Sequence, residues 1–427
     1  MGWEQLHSGV VLPIDPSITV PPLAEVELPT PRRDAIRDVE GTTREEVVER
    51  FAGAVHDGMT VAVGAGSRGL TARVELLRGA IAGLRDLGAD PFVVPAMGSH
   101  GGATAEGQLA TLAKLGLTPD ALDAEIRASM ETVVVAHDTS ERPLHLDIHA
   151  AGADRILAVN RVKPHTGFRG PVESGCTKML VVGFGKQPGA ARFHSSGAIA
   201  MREQLLDGVA ALRETGRVLG GVASVEAPSG DVVTVRALTS AELGGAAEVA
   251  LTDDARGLVA ALPFAEIDVL VIERGGKDIS GTTLDPNVTG RFWVTGLEDL
   301  PSPRVAMIVL LGLTPTTAGN VTGIGFVDFV PVSVAEQIDW EATYVNSFTA
   351  GGSGVRRGRM PMVLPDEESC IRAALQTCGK AFAAPKKVVR IHSTLHLTRC
   401  WVSDALLDEL PPGSRVVDRS GAEPHSH

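Results

Sequence analysis

Residues 60–102 read TVAVGAGSRGLTARVELLRGAIAGLRDLGADPFVVPAMGSHGG, and this stretch decides the fold class. It opens on a short apolar run that enters a Gly-rich turn, the pattern of a strand buried on both faces. Residues 71–87 then space their apolar side chains three and four apart, which predicts an amphipathic helix. A second apolar run over 92–95 ends again in glycines, and Ala103–Leu115 predicts another helix. This β–loop–α–β–loop–α order is that of a parallel, doubly wound sheet, whose ligands sit at the carboxyl ends of the strands.

Upstream, residues 1–40 are Pro-rich with an edge strand expected at Ala24–Leu28, and a helix is expected to open at Thr42. Downstream, strands are expected at Thr132–His137, Leu144–His149 and Arg155–Val159, followed by a Gly-rich segment over 163–197. A helix near 198–216, a Gly/Val strand region near 218–236 and a helix around 252–262 complete the first half. A new strand, DVLVIERGG, begins near 268 and starts a second α/β unit. The expectation is an α/β protein of two domains with mostly parallel sheets and an active-site cleft between them. Residues 1–262 carry the chemistry-bearing loops, 263–427 close the cleft, and a polar tail begins at about 418.

Composition narrows the function classes. Acidic residues outnumber basic ones, 52 to 39, for a formal charge of −13, a poor balance for gripping phosphate backbones. Nucleic acid is therefore not an expected partner. A hydrophobic share of 44% and a charged share of 21% are those of an ordinary globular protein. No apolar run reaches the ~18 residues of a membrane span, and residues 1–17 lack the basic-then-apolar order of a signal peptide. Cys176, Cys370, Cys378 and Cys400 form no CxxC pair. A cytoplasmic protein without a membrane partner is expected.

Four loops, each placed after an expected strand, carry the chemistry. Gly64-Ala65-Gly66-Ser67-Arg68-Gly69 is formally GxGxxG. It reads as a dinucleotide cradle, as a site where Arg68 meets a mononucleotide phosphate or a carboxylate, or as an ordinary turn. The dinucleotide reading calls for an acid at the end of the next strand, and PFVVPAMGS has none. Gly98-Ser99-His100-Gly101-Gly102 sets a histidine between glycines, either a base facing a cleft or a bystander. Lys163-Pro164-His165-Thr166-Gly167-Phe168 sets a second histidine at a strand end. Two imidazoles on neighbouring strand ends are what a two-base racemase needs. The fourth loop, Glu173-Ser174-Gly175-Cys176-Thr177-Lys178, leads through an apolar run to Phe193-His194. A lysine among small apolar residues is either a desolvated nucleophile and covalent anchor or a snorkelling side chain, and Cys176 reads as a small buried residue. His145 with His149, and His392 with His396, are read as structural residues on strands.

Together the four loops resemble those of the lactate racemase family, enzymes that use a nickel-pincer nucleotide, over roughly residues 60–330. In that family a lysine forms a thioamide with the cofactor and a histidine sixteen residues later ligates nickel. Lys178 and His194 stand at that spacing. The family's GxHxxxT loop is similar to Gly98–Thr104, and its Pro-His loop to Pro164-His165 with Gly167-Phe168. The resemblance implies an isomerase, a racemase or epimerase of a 2-hydroxy acid. His100 and His165 would be its acid/base pair, and pyridinium-3,5-bisthiocarboxylic acid mononucleotide nickel would be attached at Lys178. It further implies reversible hydride transfer to that cofactor, His194 as the fourth ligand of square-planar nickel, and cofactor biosynthesis enzymes as partners. Gly66, Ser67 and Gly69 would line the cofactor, and Arg68 with Lys277 would hold the substrate carboxylate.

The first loop keeps the family's hydroxyl and arginine but lacks its two carboxylates, and Gly101 stands where an arginine commonly follows the histidine. These departures indicate a divergent member acting on a substrate other than lactate. An NAD(P)-dependent oxidoreductase using Gly64–Gly69, and a non-catalytic protein that binds a hydroxy acid or the cofactor, are the other readings.

Overall fold

The computed structural model describes residues 9–29, 33–67, 70–195 and 197–419, without the side chains of residues 194, 195 and 198. Arg32–Val259 form one compact unit, and Met1–Pro31 with Ala260–His427 form the other. The first strand, β1 (Leu23–Glu27), belongs to the second unit.

In the 32–259 unit the first helix, α1 (Val39–Phe51), starts upstream of the expected Thr42 because the Asp38 carboxylate accepts from Gly41 N and caps it. β2 (Thr60–Ala65), α2 (Arg73–Asp86), β3 (Asp90–Pro95) and α3 (Ala105–Lys114) follow in the expected alternation. Thr104 caps α3 by accepting from Gly107 N at 3.0 Å. β4 (Thr132–His137) and β5 (Pro143–Asp147) pair only with each other, as an antiparallel ladder. β6 (Arg155–Arg161), α4 (Gly175–Lys178), α5 (Lys186–Ser195), α6 (Gly197–Glu214), β7 (Val218–Glu226), β8 (Val232–Thr239) and α7 (Ala246–Gly257) complete the unit. Its main sheet has the order β3-β2-β6-β7-β8, parallel except for the β7–β8 pair.

The core explains the strand pattern. Val61, Val63, Val93 and Leu157 of the sheet share one buried cluster with Val47 and Phe51 of α1 and with Leu76, Leu77, Ile81 and Leu84 of α2. Each such side chain contributes about 1.5–3 kcal/mol on burial. Gly64 lies inside β2 rather than in the turn after it: a Cβ there would stand 2.5 Å from the Phe184 ring. The first glycine of the formal GxGxxG is thus a packing residue. After it, α2 begins only at Arg73, so the glycines do not open a helix as a dinucleotide cradle does.

The other unit is built on an eight-stranded sheet. β9 (Glu266–Ile272), β10 (Arg304–Leu310), β11 (Phe329–Pro331), β12 (Met362–Leu364) and β13 (Val388–Ile391) run parallel in the order β12-β11-β10-β9-β13. A helix, α8 (Glu367–Thr377), precedes β13 and buries Ile371, Ala374 and Leu375. β14 (Arg399–Ser403), β1 and β15 (Arg415–Asp418) extend the sheet antiparallel. This corrects two expectations. The described residues 9–29 do not belong with the first domain as the 1–262 boundary had it, because β1 hydrogen-bonds to β14 and β15. Nor is β1 an edge strand, since β15 covers it. Both units are mixed α/β with parallel-rich sheets. Among the described residues, no helix is long and apolar enough to cross a membrane.

Candidate functional site

Ala65 of β2 pairs with Pro95 of β3 and with Val159 of β6, so the three strands end side by side. The loops that leave those ends carry Gly66 and Ser67, then His100, then His165. The Ser67 hydroxyl and His100 Nδ1 form a short hydrogen bond, which fixes one nitrogen of that imidazole. Arg68 and Gly69 lie outside the described residues.

The His100 loop is pressed onto α3. Gly101 adopts a φ of +69°, and a Cβ on it would stand 2.6 Å from Gln108 N, so only glycine passes this point without strain. Gly98 N donates to Gly183 O at 3.0 Å, which ties the loop to the turn that follows Lys178.

The His165 loop wraps a buried carboxylate. Glu173 accepts from His165 N at 2.7 Å and from Gly170 N at 3.2 Å, and it pairs with Arg169 and Arg256 at 3.3 and 2.6 Å. Gly167 N donates to His165 Nδ1 at 2.9 Å. With Nδ1 accepting, the neutral ring carries its proton on Nε2, an assignment that follows from the hydrogen-bond network. The imidazole packs at a tilt of 39° against the fully buried Phe168, at a centroid distance of 4.4 Å.

Lys178 closes the short helix α4. Asn160 donates to Gly175 O at 2.9 Å and so holds α4 to the end of β6. Glu248, fully buried, accepts from Thr177 N, the Thr177 hydroxyl and Gly244 N, and thereby caps the same helix. Burial pushes the Glu248 carboxyl up from its ordinary value, against those hydrogen bonds. A π-helical turn over Met179–Gly183 continues from Lys178, a distortion that is common at functional sites. Lys178 is half-buried with Nζ 5.6 Å from the Phe168 centroid, and Phe193 packs edge-on to the same ring at 6.0 Å. Phe168 therefore joins His165, Lys178 and the residue preceding His194. The His194 side chain lies outside the described residues.

Cys176 is fully buried and its thiol, held well above its ordinary value by that burial, points at Ala158 O. It is a packing residue. Among the described residues, no three His, Cys, Asp or Glu side chains form a metal cluster. Lys277 belongs to the other unit, where its backbone N donates to the Thr317 hydroxyl and Nζ donates to Gly281 O at 2.8 Å. His392 and His396 do not share a strand face, because β13 ends at Ile391. A turn at Ser393 brings the two rings to 5.8 Å, with His392 on Glu273 and His396 on Ser393. His145 lies on β5, whereas His149 lies in the helical turn capped by Asp147.

Sequence reading missed Gln108, Lys186 and Glu248 behind the loops, and it gave Glu173, the head of the fourth loop, no role of its own. Lys186 is fully buried, 3.0 Å from Asp147, and donates to Pro95 O and Gln108 Oε1 at 2.5 and 3.0 Å. Burial lowers its pKa and the Asp147 charge opposes that shift. The available signal was a lysine and a glutamate inside otherwise small or apolar runs, GFGKQPGA and GGAAEVAL.

No protein-family model matches the chain, and no curated protein matches it in sequence. Among solved structures it is similar to the lactate racemase apoprotein from Thermoanaerobacterium thermosaccharolyticum. The TM-score is 0.51 at 12% identity, over 87% of this chain and 99% of that one. It is also similar to a Thermotoga maritima protein, with a TM-score of 0.48 at 12% identity, over 75% and 82% of the two chains. At that identity the first likeness is one of fold. The chain has a lactate racemase-like α/β fold.

Proposed function

We propose that the chain is a racemase or epimerase of a 2-hydroxy acid that works with a nickel-pincer nucleotide attached at Lys178. The observation that carries this reading is the pair of half-buried imidazoles flanking β2. One is fixed through Nδ1 by Ser67, the other through Nδ1 by Gly167 N, and the second shares its aromatic support with Lys178.

The described residues fit such a group. The Lys178 amine is half-buried against an aromatic face, and a Cβ on Gly66 would stand 3.2 Å from Cε of Met179, the next residue after the lysine. Gly66 thus keeps the end of β2 open beside the attachment segment, with Ser67 as the adjoining hydroxyl. His194 would hold the nickel. When bound, the cofactor supplies a reversible acceptor that would take the substrate's C2 hydride and give it back.

The chain's own residues handle the protons. An imidazole with Nδ1 engaged presents Nε2 to the substrate, and the two rings begin unequal. His165 holds its proton on Nε2 and serves as donor, whereas the Ser67 hydroxyl can accept from His100 Nδ1 and leave Nε2 basic. His100 then takes the 2-hydroxyl proton and His165 returns one to the oxygen of the turned 2-oxo acid, with the roles exchanged in the reverse direction. Arg68 would clamp the carboxylate as a bidentate partner.

The test is expression together with the pincer-cofactor biosynthesis enzymes, followed by intact-mass and metal analysis and a chiral assay over a panel of 2-hydroxy acids. A nickel-bearing adduct that is lost in Lys178→Ala is expected. His100→Ala and His165→Ala should keep the adduct and lose about 10²–10⁴-fold in racemisation. Folded protein without nickel or adduct would remove the reading, as would either histidine variant racemising at the parental rate.

A further inference from the structure

We propose that Gln108 is the positioning residue for His100, and that Lys186 sets the direction in which the Gln108 amide points. Gln108 is fully buried on α3. Its Nε2 donates to Gly98 O at 2.9 Å and to His100 O at 3.3 Å, so the backbone entering and leaving Ser99 is held by one amide group. Its Oε1 accepts from Lys186 Nζ at 3.0 Å.

The two ends of a glutamine amide are nearly the same size, so packing alone does not choose between them. Charge does. In the reversed orientation the amide NH₂ would face an ammonium, and the amide oxygen would face two carbonyl oxygens. Lys186 forbids that orientation and is itself fixed. Asp147 pairs with it at 3.0 Å while capping His149 N and Ala150 N, and Pro95 O takes another of its protons. Lys186 is also the first residue of α5, where it sits at a φ of +50°, a conformation that a lysine keeps only when its surroundings hold it there. The ammonium thus stands between the end of β3 and the start of the helix that carries His194. His100 is gripped twice: its ring nitrogen by Ser67, its backbone by Gln108.

This inference rests on the proposed role of His100 only for its kinetic consequence. The decisive variant is Gln108→Glu. Its carboxylate, kept ionised by Lys186, preserves the contact between α3 and α5 but turns an acceptor toward Gly98 O and His100 O. The full chain is labelled with ¹⁵N-histidine and its imidazole resonances are followed against pH without cofactor. Wild type should show His100 as a single fixed tautomer. Gln108→Glu should stay folded at a lowered melting temperature and show averaged tautomers at His100, with the other histidines unchanged.

In cofactor-loaded enzyme, kcat should fall about a hundredfold with KM little changed, the effect of a misplaced catalytic group. Should Gln108→Glu not fold, Gln108→Met removes the same donors with an apolar side chain and is read in the same way. A folded variant whose His100 resonances match wild type overturns the positioning role and leaves the proposed function standing. Altered resonances in a protein that racemises no hydroxy acid do the reverse.

Discussion

The loop after β3 and the loop after β6 each present one histidine, but the buried ion behind each carries the opposite charge. Behind His165 stands the Glu173 carboxylate, which collects the backbone N–H groups of His165 and Gly170 and is balanced by Arg169 and Arg256. Behind His100 stands the Lys186 ammonium, which collects Pro95 O directly and the carbonyls of Gly98 and His100 through Gln108. The difference follows from which backbone groups each loop turns inward. A loop that points its N–H groups at the core needs an anion there, and one that points its carbonyls inward needs a donor. The anion also differs in access: its arginines reach solvent, whereas Lys186 and Asp147 are both fully enclosed. Removing one partner should therefore cost more at the His100 loop.

The largest effect is expected for Lys186→Met, which leaves Asp147 as an uncompensated buried charge and should lower unfolding free energy by about 3–5 kcal/mol. Lys186→Met combined with Asp147→Leu removes both charges and should recover most of that loss in urea denaturation. If the double variant is no more stable than the single, the ion pair is not what holds the two elements together, and the contrast with Glu173 fails.

Glu173→Gln should cost less, about 2–3 kcal/mol, because one hydrogen bond to a charged acceptor is replaced by two donors facing each other. The arginines can relax toward water. The loss should be local: amide hydrogen exchange is expected to speed up over 165–170 and to stay unchanged at 98–101. Equal acceleration in both loops would show that the two supports are one network rather than two.

Much of the sheet was readable because each strand's pattern is local. The apolar runs of β2, β3 and β6 mark burial on both faces wherever they pair. His100, His165 and Lys178 stood out as candidates because glycine-dense loops after such strands are few. What was hidden depends on partners far along the chain. Gln108 meets Lys186 from 78 residues away and Glu248 meets Thr177 from 71, and nothing in a local window says that a polar side chain will be buried against a particular partner. β1 was taken for an edge strand for the same reason, since β14 and β15 lie near the opposite end of the chain. Gly64 read as a loop glycine because the Phe184 ring that requires it is not its sequence neighbour.

Glu248 sharpens the comparison as its third case, a carboxylate that organises N–H groups as Glu173 does but, among the described residues, forms no ion pair. Burial raises its folded-state pKa above the ordinary 4.5. The folded protein then holds a proton that the unfolded chain releases. The stability linked to that proton is complete below pH 4.5 and is lost as pH rises through the folded value. Glu248→Gln has no such titration and lacks one acceptor, so it should be less stable than wild type by about 1 kcal/mol at low pH. Above pH 4.5 the gap should narrow as wild type loses its proton-linked stability and the variant does not. Urea midpoints for both proteins across that range decide the matter. A gap that widens with pH would mean that Thr177 and Gly244 stabilise the ionised carboxylate more than burial opposes it, and that Glu248 needs no counter-ion for the same task Glu173 performs with two.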